Sequence, residues 1–342
     1  MSSLERSPQD SASDWAHGER YRVDMRKLLE AYVAAHPEPL ERLSVAEARR
    51  RPTLADVAVE VVGRDVDPDV DWGVLAHDLT IPGAQGSLPV RVYTPHPARC
   101  NPCPLLVYWH GGGWVLGDLE RCDASPRTMA KLARCIVVSC AYRRAPEHRF
   151  PAAHDDALAA YAWVVEHADS LGGDAERIAT MGECSGANLA CALAGMARAR
   201  GLPLPRHMAL VCPIAGRPTE SASRREHMGA RPIGTATVDW WMAQAHDLPP
   251  DAVDPRIDLL AADLRDRPPA TIVTAEIDPL RSDGDSLAAR LREHGVAVRH
   301  RCFQGVTHDF FGLGLFVTEA AVAETWVARE LRRALGTVID PS

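Results

Sequence analysis

The sequence predicts an α/β fold in which helices cover both faces of a mostly parallel β-sheet. Continuous runs of Val, Ile and Leu alternate with amphipathic stretches along most of the chain, and strands without polar alternation are typical of sheets buried on both faces. The composition, 46% hydrophobic and 25% charged, is that of an ordinary globular protein. A chain of 342 residues is long enough to bury a large core, and single α/β domains often reach this length.

The strands of the sheet are predicted from extended runs rich in aliphatic and β-branched residues. Two of these runs, at 76–83 and 87–95, are separated by a Gly-containing turn. Amphipathic helices are predicted further along, for example over 152–169 and 282–295. Six more extended runs alternate with such helices and lie at 104–110, 135–143, 177–183, 207–214, 270–276 and 296–303.

The N-terminal region is predicted to be helical after a short tail. The first fourteen residues are polar and Ser-rich, and we expect them to be disordered. Residues 21–35 are amphipathic, and Pro37 and Pro39 end that pattern. Ser44 is a candidate cap for a second helix that begins directly after it.

Two parts of the chain interrupt the alternation of strands and helices and define the predicted domains. We assign residues 1–60 to a tail and cap helices, and residues 61–342 to the α/β core. Within the core, the segment at about 216–250 is too long for a simple crossover and is rich in Pro and Trp. We therefore interpret it as an insertion that forms part of a lid.

Charge and hydropathy exclude several classes of partner. A net charge of −8 argues against a nucleic-acid-binding protein, which usually presents a basic face. The N-terminus has no apolar stretch after a basic start, so it does not read as a secretory signal, and no apolar run reaches the length of a membrane span. We expect a cytoplasmic protein that acts on a small molecule.

The cysteines do not have the pattern of a disulfide framework. Their number is nine, an odd count, and we expect most of them to be reduced and buried. Cys100 and Cys103 have the spacing of a redox or zinc motif, but a second pair is missing and the segment is Pro-rich. We interpret it as an ordinary loop.

The first candidate site motif is HGGGW, residues 110–114, directly after a predicted strand. Ligands in open α/β sheets bind beyond the carboxyl ends of the strands. Three consecutive glycines let the backbone approach a ligand closely and direct N–H groups at one point. An oxyanion hole needs such donors, each worth roughly 3–4 kcal/mol. We predict Gly112 and Gly113 as donors.

The second motif is GECSG, in which Gly182 and Gly186 flank Cys184 as in the tight strand-to-helix turn of a hydrolase nucleophile. Such a turn exposes the side chain of its central residue, which assigns the attacking position to Cys184. Successive helical residues are rotated by about 100°. We therefore expect Ser185 to point away from the pocket and to offer its backbone N–H to the oxyanion.

The remaining two members of a catalytic triad are predicted downstream. Asp278 follows the strand at 270–276, and His308 follows the last strand. The chain order of nucleophile, acid and histidine is the order that hydrolases of this type use. The sequence therefore predicts the triad Cys184, Asp278 and His308.

These motifs resemble the hormone-sensitive-lipase-like (bacterial family IV) branch of the α/β hydrolases, from about residue 75 to 335. The resemblance implies an eight-stranded core, a helical cap and a triad at positions 184, 278 and 308. It also implies oxyanion donors at Gly112, Gly113 and Ser185, esters with short to medium acyl chains as substrates, no cofactor, and a possible homodimer. The matching blocks are HGGGW, YRRAPEHRFPAAHDDALAAYAWV, GECSGANLA, DPRIDLLAADLRDRPPATIVTAEIDPLRSDG and GVTHDFFGL.

Two positions depart from the family pattern. Asp309 replaces the usual glycine after the histidine, and Cys184 replaces the usual serine. A helix N-terminus and a neighbouring imidazole favour a thiolate–imidazolium pair at such a cysteine. Acylation of sulfur gives a thioester, which reacts well with amines and thiols as well as with water.

Three functional interpretations therefore remain open. The first is a cysteine enzyme that hydrolyses esters or passes the acyl group to another acceptor, including a thioesterase or a lactone-forming cyclase. The second is a serine esterase in which Cys184 was introduced by engineering. The third is a non-hydrolytic lyase or ligand-binding relative, which is disfavoured because Asp278 and His308 are both present.

Overall fold

The computed structural model describes residues 20–62, 73–96, 101–216, 220–249 and 252–337. The tail that the sequence predicts to be disordered lies outside these ranges. Among the helices in the described ranges, none combines the length and apolar character needed to cross a bilayer.

Eight strands form one sheet in the order β1-β2-β4-β3-β5-β6-β7-β8. β1 pairs antiparallel with β2 and β2 antiparallel with β4, whereas the pairs from β4 through β8 are parallel. This confirms the predicted fold class, a mostly parallel eight-stranded α/β sheet. The strands are β1 Val74–Pro82, β2 Ser87–Pro95, β3 Cys103–Trp109, β4 Ile136–Cys140, β5 Gly173–Glu183, β6 Met208–Val211, β7 Ala270–Ile277 and β8 Val298–Thr307.

The α-helices lie between the strands and in the N-terminal region. The cap predicted at Ser44 is present: the Glu47 N–H donates to Ser44 Oγ, and the Glu47 carboxylate accepts from the Ser44 N–H, which is a capping box. The helices are α1 Val23–Ala35, α2 Val45–Arg50, α3 Leu54–Val62, α4 Ala124–Ala133, α5 Ala152–Glu166, α6 Ser185–Ala199, α7 Ala222–Glu226, α8 Thr235–Ala245, α9 Arg281–Glu293 and α10 Thr318–Leu335.

The sheet separates two apolar cores, one on each face. Along β3, Leu105 and Val107 pack into one core, whereas Leu106 and Tyr108 pack into the other. Side chains of a strand alternate between faces, so a strand that is apolar at every position is covered on both sides. All residues of β3 are buried, and the carboxyl end of this rigid sheet therefore carries the loops described below.

One buried carboxylate and one cysteine have partners that the sequence did not indicate. Asp156 is 1% exposed and forms an ion pair with Arg143 at 2.7 Å. A carboxylate so buried is held by its partner, not by a helix dipole alone. Cys103, expected to be reduced, is disulfide-bonded, whereas the other seven cysteines that the structure describes are free.

Candidate active site

The turn between β5 and α6 holds Cys184 in a strained conformation. Its φ is +54° and its ψ is −115°, a region that non-glycine residues rarely adopt. A Cβ on Gly182 would lie 2.1 Å from the Gly186 carbonyl oxygen, and one on Gly186 would lie 2.0 Å from that of Trp109. Both flanking glycines are therefore required for the turn to close.

The turn directs the Cys184 side chain and the Ser185 side chain to different places. Cys184 lines a large cavity at the carboxyl end of the sheet. Ser185 has no exposed surface, and its hydroxyl lies 3.4 Å from that of Tyr142. The side chain available to a ligand in the cavity is therefore that of Cys184.

His308 and Asp278 lie together beside this cysteine. His308 Nδ1 donates to Asp278 Oδ2 at 2.8 Å, and the other Asp278 oxygen accepts the Leu280 N–H at 2.7 Å. The Cys184 sulfur lies close enough to the His308 ring to raise the pKa of that ring. The structure thus brings the three residues predicted as a triad into one chain of contacts.

The electrostatic environment of His308 favours its protonated form. Burial by itself would lower the pKa of His308, but the charge of Asp278, the hydrogen bond to it and the neighbouring Cys184 raise that pKa well above its usual value. A cationic imidazole next to a thiol stabilises the thiolate.

Three backbone N–H groups near the turn have no hydrogen-bond partner among the residues that the structure describes. Within the described part of the chain, no acceptor pairs with the N–H groups of Gly112, Gly113 or Ser185. Gly112 has φ +105° and Gly113 has φ +61°, so a side chain at either position would strain the loop. The loop is held closed because Gly112 O accepts from Leu116 N at 2.8 Å. Gly112 lines the cavity, and Gly113 is buried against Trp241.

The opposite wall of the cavity comes from the N-terminal helices and from the segment around α8. Among the described residues that line it, Trp241 is the one tryptophan. The wall combines apolar surface with guanidinium groups. Its lining residues include Tyr32, Leu40, Arg49, Arg51, Leu54, Ile233 and Trp241.

Acidic side chains line the part of the cavity nearest the triad. Glu183 accepts a hydrogen bond from the Tyr108 hydroxyl at 2.7 Å. Burial raises the pKa of the Glu183 carboxyl to about 7, although hydrogen bonds from Tyr108 and Ser125 oppose that shift. Asp309 also lines the cavity, and its pKa is raised by the surrounding protein although the charge of His308 lowers it.

A further thiol, Cys212, lies against the triad. Among the described residues, Cys212, Asp278 and His308 offer potential metal-ligand atoms within 4.8 Å of one another. A soft divalent ion would suit a thiolate and an imidazole. The Nδ1–H of His308 is held by Asp278, which leaves the other ring nitrogen for acid–base chemistry with the thiols.

Glu183 and Cys212 also belong to the site, although neither was predicted from the sequence. Each is the residue at or just past the end of a central strand, β5 and β6, where ligands of parallel sheets bind. That position was the available signal. Side-chain type alone did not separate Cys212 from the other buried cysteines.

Comparisons with known proteins agree with the fold described above. A family model described as the α/β hydrolase fold matches residues 106–312. An ethyl acetate hydrolase from Pseudomonas putida is 35% identical over 303 residues, 87% of this chain and 92% of the relative. The carboxylesterase NlhH from Mycobacterium tuberculosis is 39% identical over 256 residues, 72% of this chain and 79% of the relative.

Solved structures show the same architecture. A hyperthermophilic esterase from the archaeon Pyrobaculum calidifontis superposes with a TM-score of 0.82 at 34% identity, and the match covers 92% of this chain and 98% of that one. The sheet order, the strained turn after β5 and the family match together lead to one conclusion. The chain belongs to the α/β-hydrolase family.

Proposed function

We propose that the protein hydrolyses carboxylic esters of small molecules and that Cys184 carries the acyl group as a covalent intermediate. One observation supports this most: Cys184 contacts His308, and His308 in turn binds Asp278 at 2.8 Å. A nucleophile beside a base that a third group orients is the arrangement used for covalent acyl transfer. The two relatives named above are an ethyl acetate hydrolase and a carboxylesterase.

In the first step, the Cys184 sulfur attacks the carbonyl carbon of the ester. The carbonyl oxygen becomes an oxyanion, for which the unpaired N–H groups of Gly112, Gly113 and Ser185 are the proposed donors. Fixed donors stabilise this charge without reorganising, which is why a rigid glycine loop suits the role.

In the second step, the protonated His308 gives its proton to the departing alcohol oxygen, and the carbon–oxygen bond breaks. A thioester on Cys184 remains. His308, now neutral, then takes a proton from water, and the resulting hydroxide attacks the thioester to release the acid and restore the thiol. Asp278 keeps the ring oriented and stabilises its cationic form.

Sulfur at position 184 supports a second candidate, transfer of the acyl group to an acceptor other than water. A thioester is attacked readily by amines and thiols, so an amide, a new thioester or a lactone is an accessible product. Added amines decide between the two. Accumulation of amide at the expense of acid during turnover of a p-nitrophenyl ester would indicate an acyltransferase or cyclase.

The proposal is tested by trapping the acyl group. After mixing with a p-nitrophenyl ester and rapid acid quench, intact-mass and peptide analysis should find one acyl group on the peptide that contains Cys184. Cys184→Ala should show no adduct, and Cys302→Ala, whose thiol does not line the cavity, should behave like the parent. Ligand binding without any acyl adduct or turnover would instead support the non-hydrolytic interpretation.

Replacement of the sulfur by oxygen separates a cysteine enzyme from an altered serine esterase. If Cys184→Ser cleaves simple esters much faster, sulfur is a substitution in a serine-esterase framework. If it loses activity on the substrates that the parent prefers, sulfur is integral to the reaction.

A further inference from the structure

Cys184 and Cys212 lie opposite each other on adjoining strands. The last register pair between β5 and β6 is Glu183 with Val211. The ladder continues one residue further, because Cys184 N donates to Val211 O at 2.8 Å and Ile214 N donates to Cys184 O at 3.3 Å. Pro213 has no N–H, so the next residue supplies the second bond. Together these two bonds flank Cys212.

This placement is within the range that a disulfide requires. Neighbouring strands lie about 4.8 Å apart, and disulfides join residues whose Cα atoms are roughly 4.4–6.8 Å apart. Both cysteines have positive φ, +54° at Cys184 and +44° at Cys212, and both line the same cavity. Both residues therefore reach the cavity at the strand ends, although Cys184 packs with the core on one face of the sheet and Cys212 with the core on the other.

The His308 imidazole lies beside both sulfurs. The Cys184 thiol is close enough to raise the pKa of His308, and the Cys212 sulfur lies within 4.8 Å of ligand atoms of His308 and Asp278. Other buried cysteines, such as Cys135 and Cys191, do not line the cavity. Cys184 and Cys212 thus combine a neighbouring thiol, an adjacent base and access through the cavity, which are the conditions for thiol–disulfide chemistry.

We propose that Cys184 and Cys212 form a reversible disulfide when the protein meets a hydroperoxide. Cys184 attacks the outer peroxide oxygen, the O–O bond breaks, an alcohol or water leaves, and Cys184 becomes a sulfenic acid. Cys212 then attacks the Cys184 sulfur: the S–S bond forms, the S–O bond breaks, and the oxygen departs as water with the proton of Cys212. His308 carries that proton. Two thiols are oxidised for each hydroperoxide reduced.

The bond has two consequences for the site. It removes the attacking sulfur, so acyl transfer stops until a thiol reductant restores both cysteines. It also prevents further oxidation of Cys184 to sulfinic acid, which thiol reductants do not reverse. The proposal depends on an accessible Cys184 and not on ester hydrolysis itself.

The test uses peptide mapping of the full-length protein, which does not depend on activity. The parent is treated with about one equivalent of hydrogen peroxide, alkylated and digested without reductant. We expect one cross-link between Cys184 and Cys212, and dithiothreitol should reverse it and restore most of the starting activity. Cys212→Ser should form no cross-link, should accumulate sulfinic acid at Cys184, and should recover several-fold less of its own starting activity.

Cys122 supplies the matched control, because it is the third free cysteine that lines the cavity. Cys122→Ser should retain the cross-link at the parent level. A cross-link to Cys122, oxidation of Cys184 without any cross-link, or equal recovery of the parent and Cys212→Ser would overturn the proposal. Circular dichroism before oxidation verifies that each variant is folded. A cross-link in a protein without esterase activity would contradict the proposed function and leave this inference standing.

Discussion

The two sides of the cavity are built in different ways. On the sheet side, Cys184 and His308 each follow the end of a strand, and short hydrogen bonds fix their positions. The opposite wall, formed by the N-terminal helices and the segment around α8, is called the cap side here. On it, Arg49 and Trp241 lie on short helices that contact the rest of the protein through side chains, for example through the bond from Arg49 Nε to Val115 O at 2.9 Å. From this difference we expect the sheet side to carry the chemistry and the cap side to select what enters.

The largest effect is expected when the sulfur or its base is removed. Cys184→Ala and His308→Ala should each lower kcat/KM by about 10³-fold or more. The two residues act as one unit, so the loss of either removes the function of both. The double variant should be no worse than either single one. Steady-state kinetics on p-nitrophenyl esters checks this, and additive losses in the double variant would contradict a shared role.

Asp278→Asn should have the next largest effect. The amide cannot stabilise the His308 cation and favours the wrong tautomer, and comparable changes cost about 10²–10⁴ in kcat. KM should change little, because Asp278 has no exposed surface from which to touch the substrate. A loss carried mainly by KM would indicate that the carboxyl serves binding instead.

Gly113→Ala tests the contact between the sheet side and the cap side. A Cβ at this position would lie 2.2 Å from Trp241 Cγ on the cap side. We expect a drop of roughly 10²- to 10³-fold in kcat because an oxyanion donor is displaced, in line with the cost of losing one such donor. Adding Trp241→Ala should recover part of that loss by removing the steric contact. No recovery would show that the loss comes from strain in the loop backbone and not from the contact with Trp241.

Arg49→Ala tests the cap side alone. Arg49 forms an ion pair with Glu147 at 2.7 Å and donates hydrogen bonds to Val115 O and Ala145 O. Its loss should therefore make this wall of the cavity less ordered. KM should rise about threefold to tenfold with kcat within about twofold, since only binding is affected. Arg265→Ala removes an exposed ion pair away from the cavity and is the matched control. A kcat loss as large as that of Asp278→Asn would contradict the division between the two sides.

The smallest effect concerns stability and pH. The pKa of Glu183 is about 7 in the folded protein, above its unfolded value, so the folded state holds that proton more tightly between about pH 4.5 and 7. Stability contributed by this group is therefore present at low pH and is lost as the pH rises through 7. The melting temperature should fall less with rising pH in Glu183→Gln than in the parent. The difference should correspond to roughly 1–2 kcal/mol in the free energy of unfolding.

Glu324 limits how much of that pH dependence the variant can remove. Burial raises its pKa to about 7 as well, so it contributes in the same direction and should keep part of the slope in Glu183→Gln. Thermal melts from pH 4.5 to 8 measure both. An unchanged slope in the variant would mean that Glu183 titrates near its ordinary pKa.

The sheet side was predictable from sequence because its geometry is local. The glycines around Cys184 have one physical use, a turn that a Cβ at either position would obstruct, and the strand ends place Asp278 and His308 on the same edge. The central strands, such as β3 and β4, were found because a doubly covered strand is apolar at nearly every position. These features need no knowledge of distant contacts.

The rest depended on pairings that no spacing encodes. The ion-pair partner of Asp156, Arg143, lies thirteen residues away in sequence, and the fold brings the two together. Cys212 was read as part of a buried strand, and only the register between β5 and β6 places it opposite Cys184. The division into cap and core at 1–60 and 216–250 stays a prediction.

The most direct measurement of the central claim is the rate at which iodoacetamide alkylates each free cysteine. Cys184 should react far faster than the other six, its rate should stay high below pH 7 because a cationic His308 stabilises the thiolate, and His308→Ala should abolish the difference. Equal rates at all seven cysteines, or a fast Cys184 that is unaffected by His308→Ala, would contradict it.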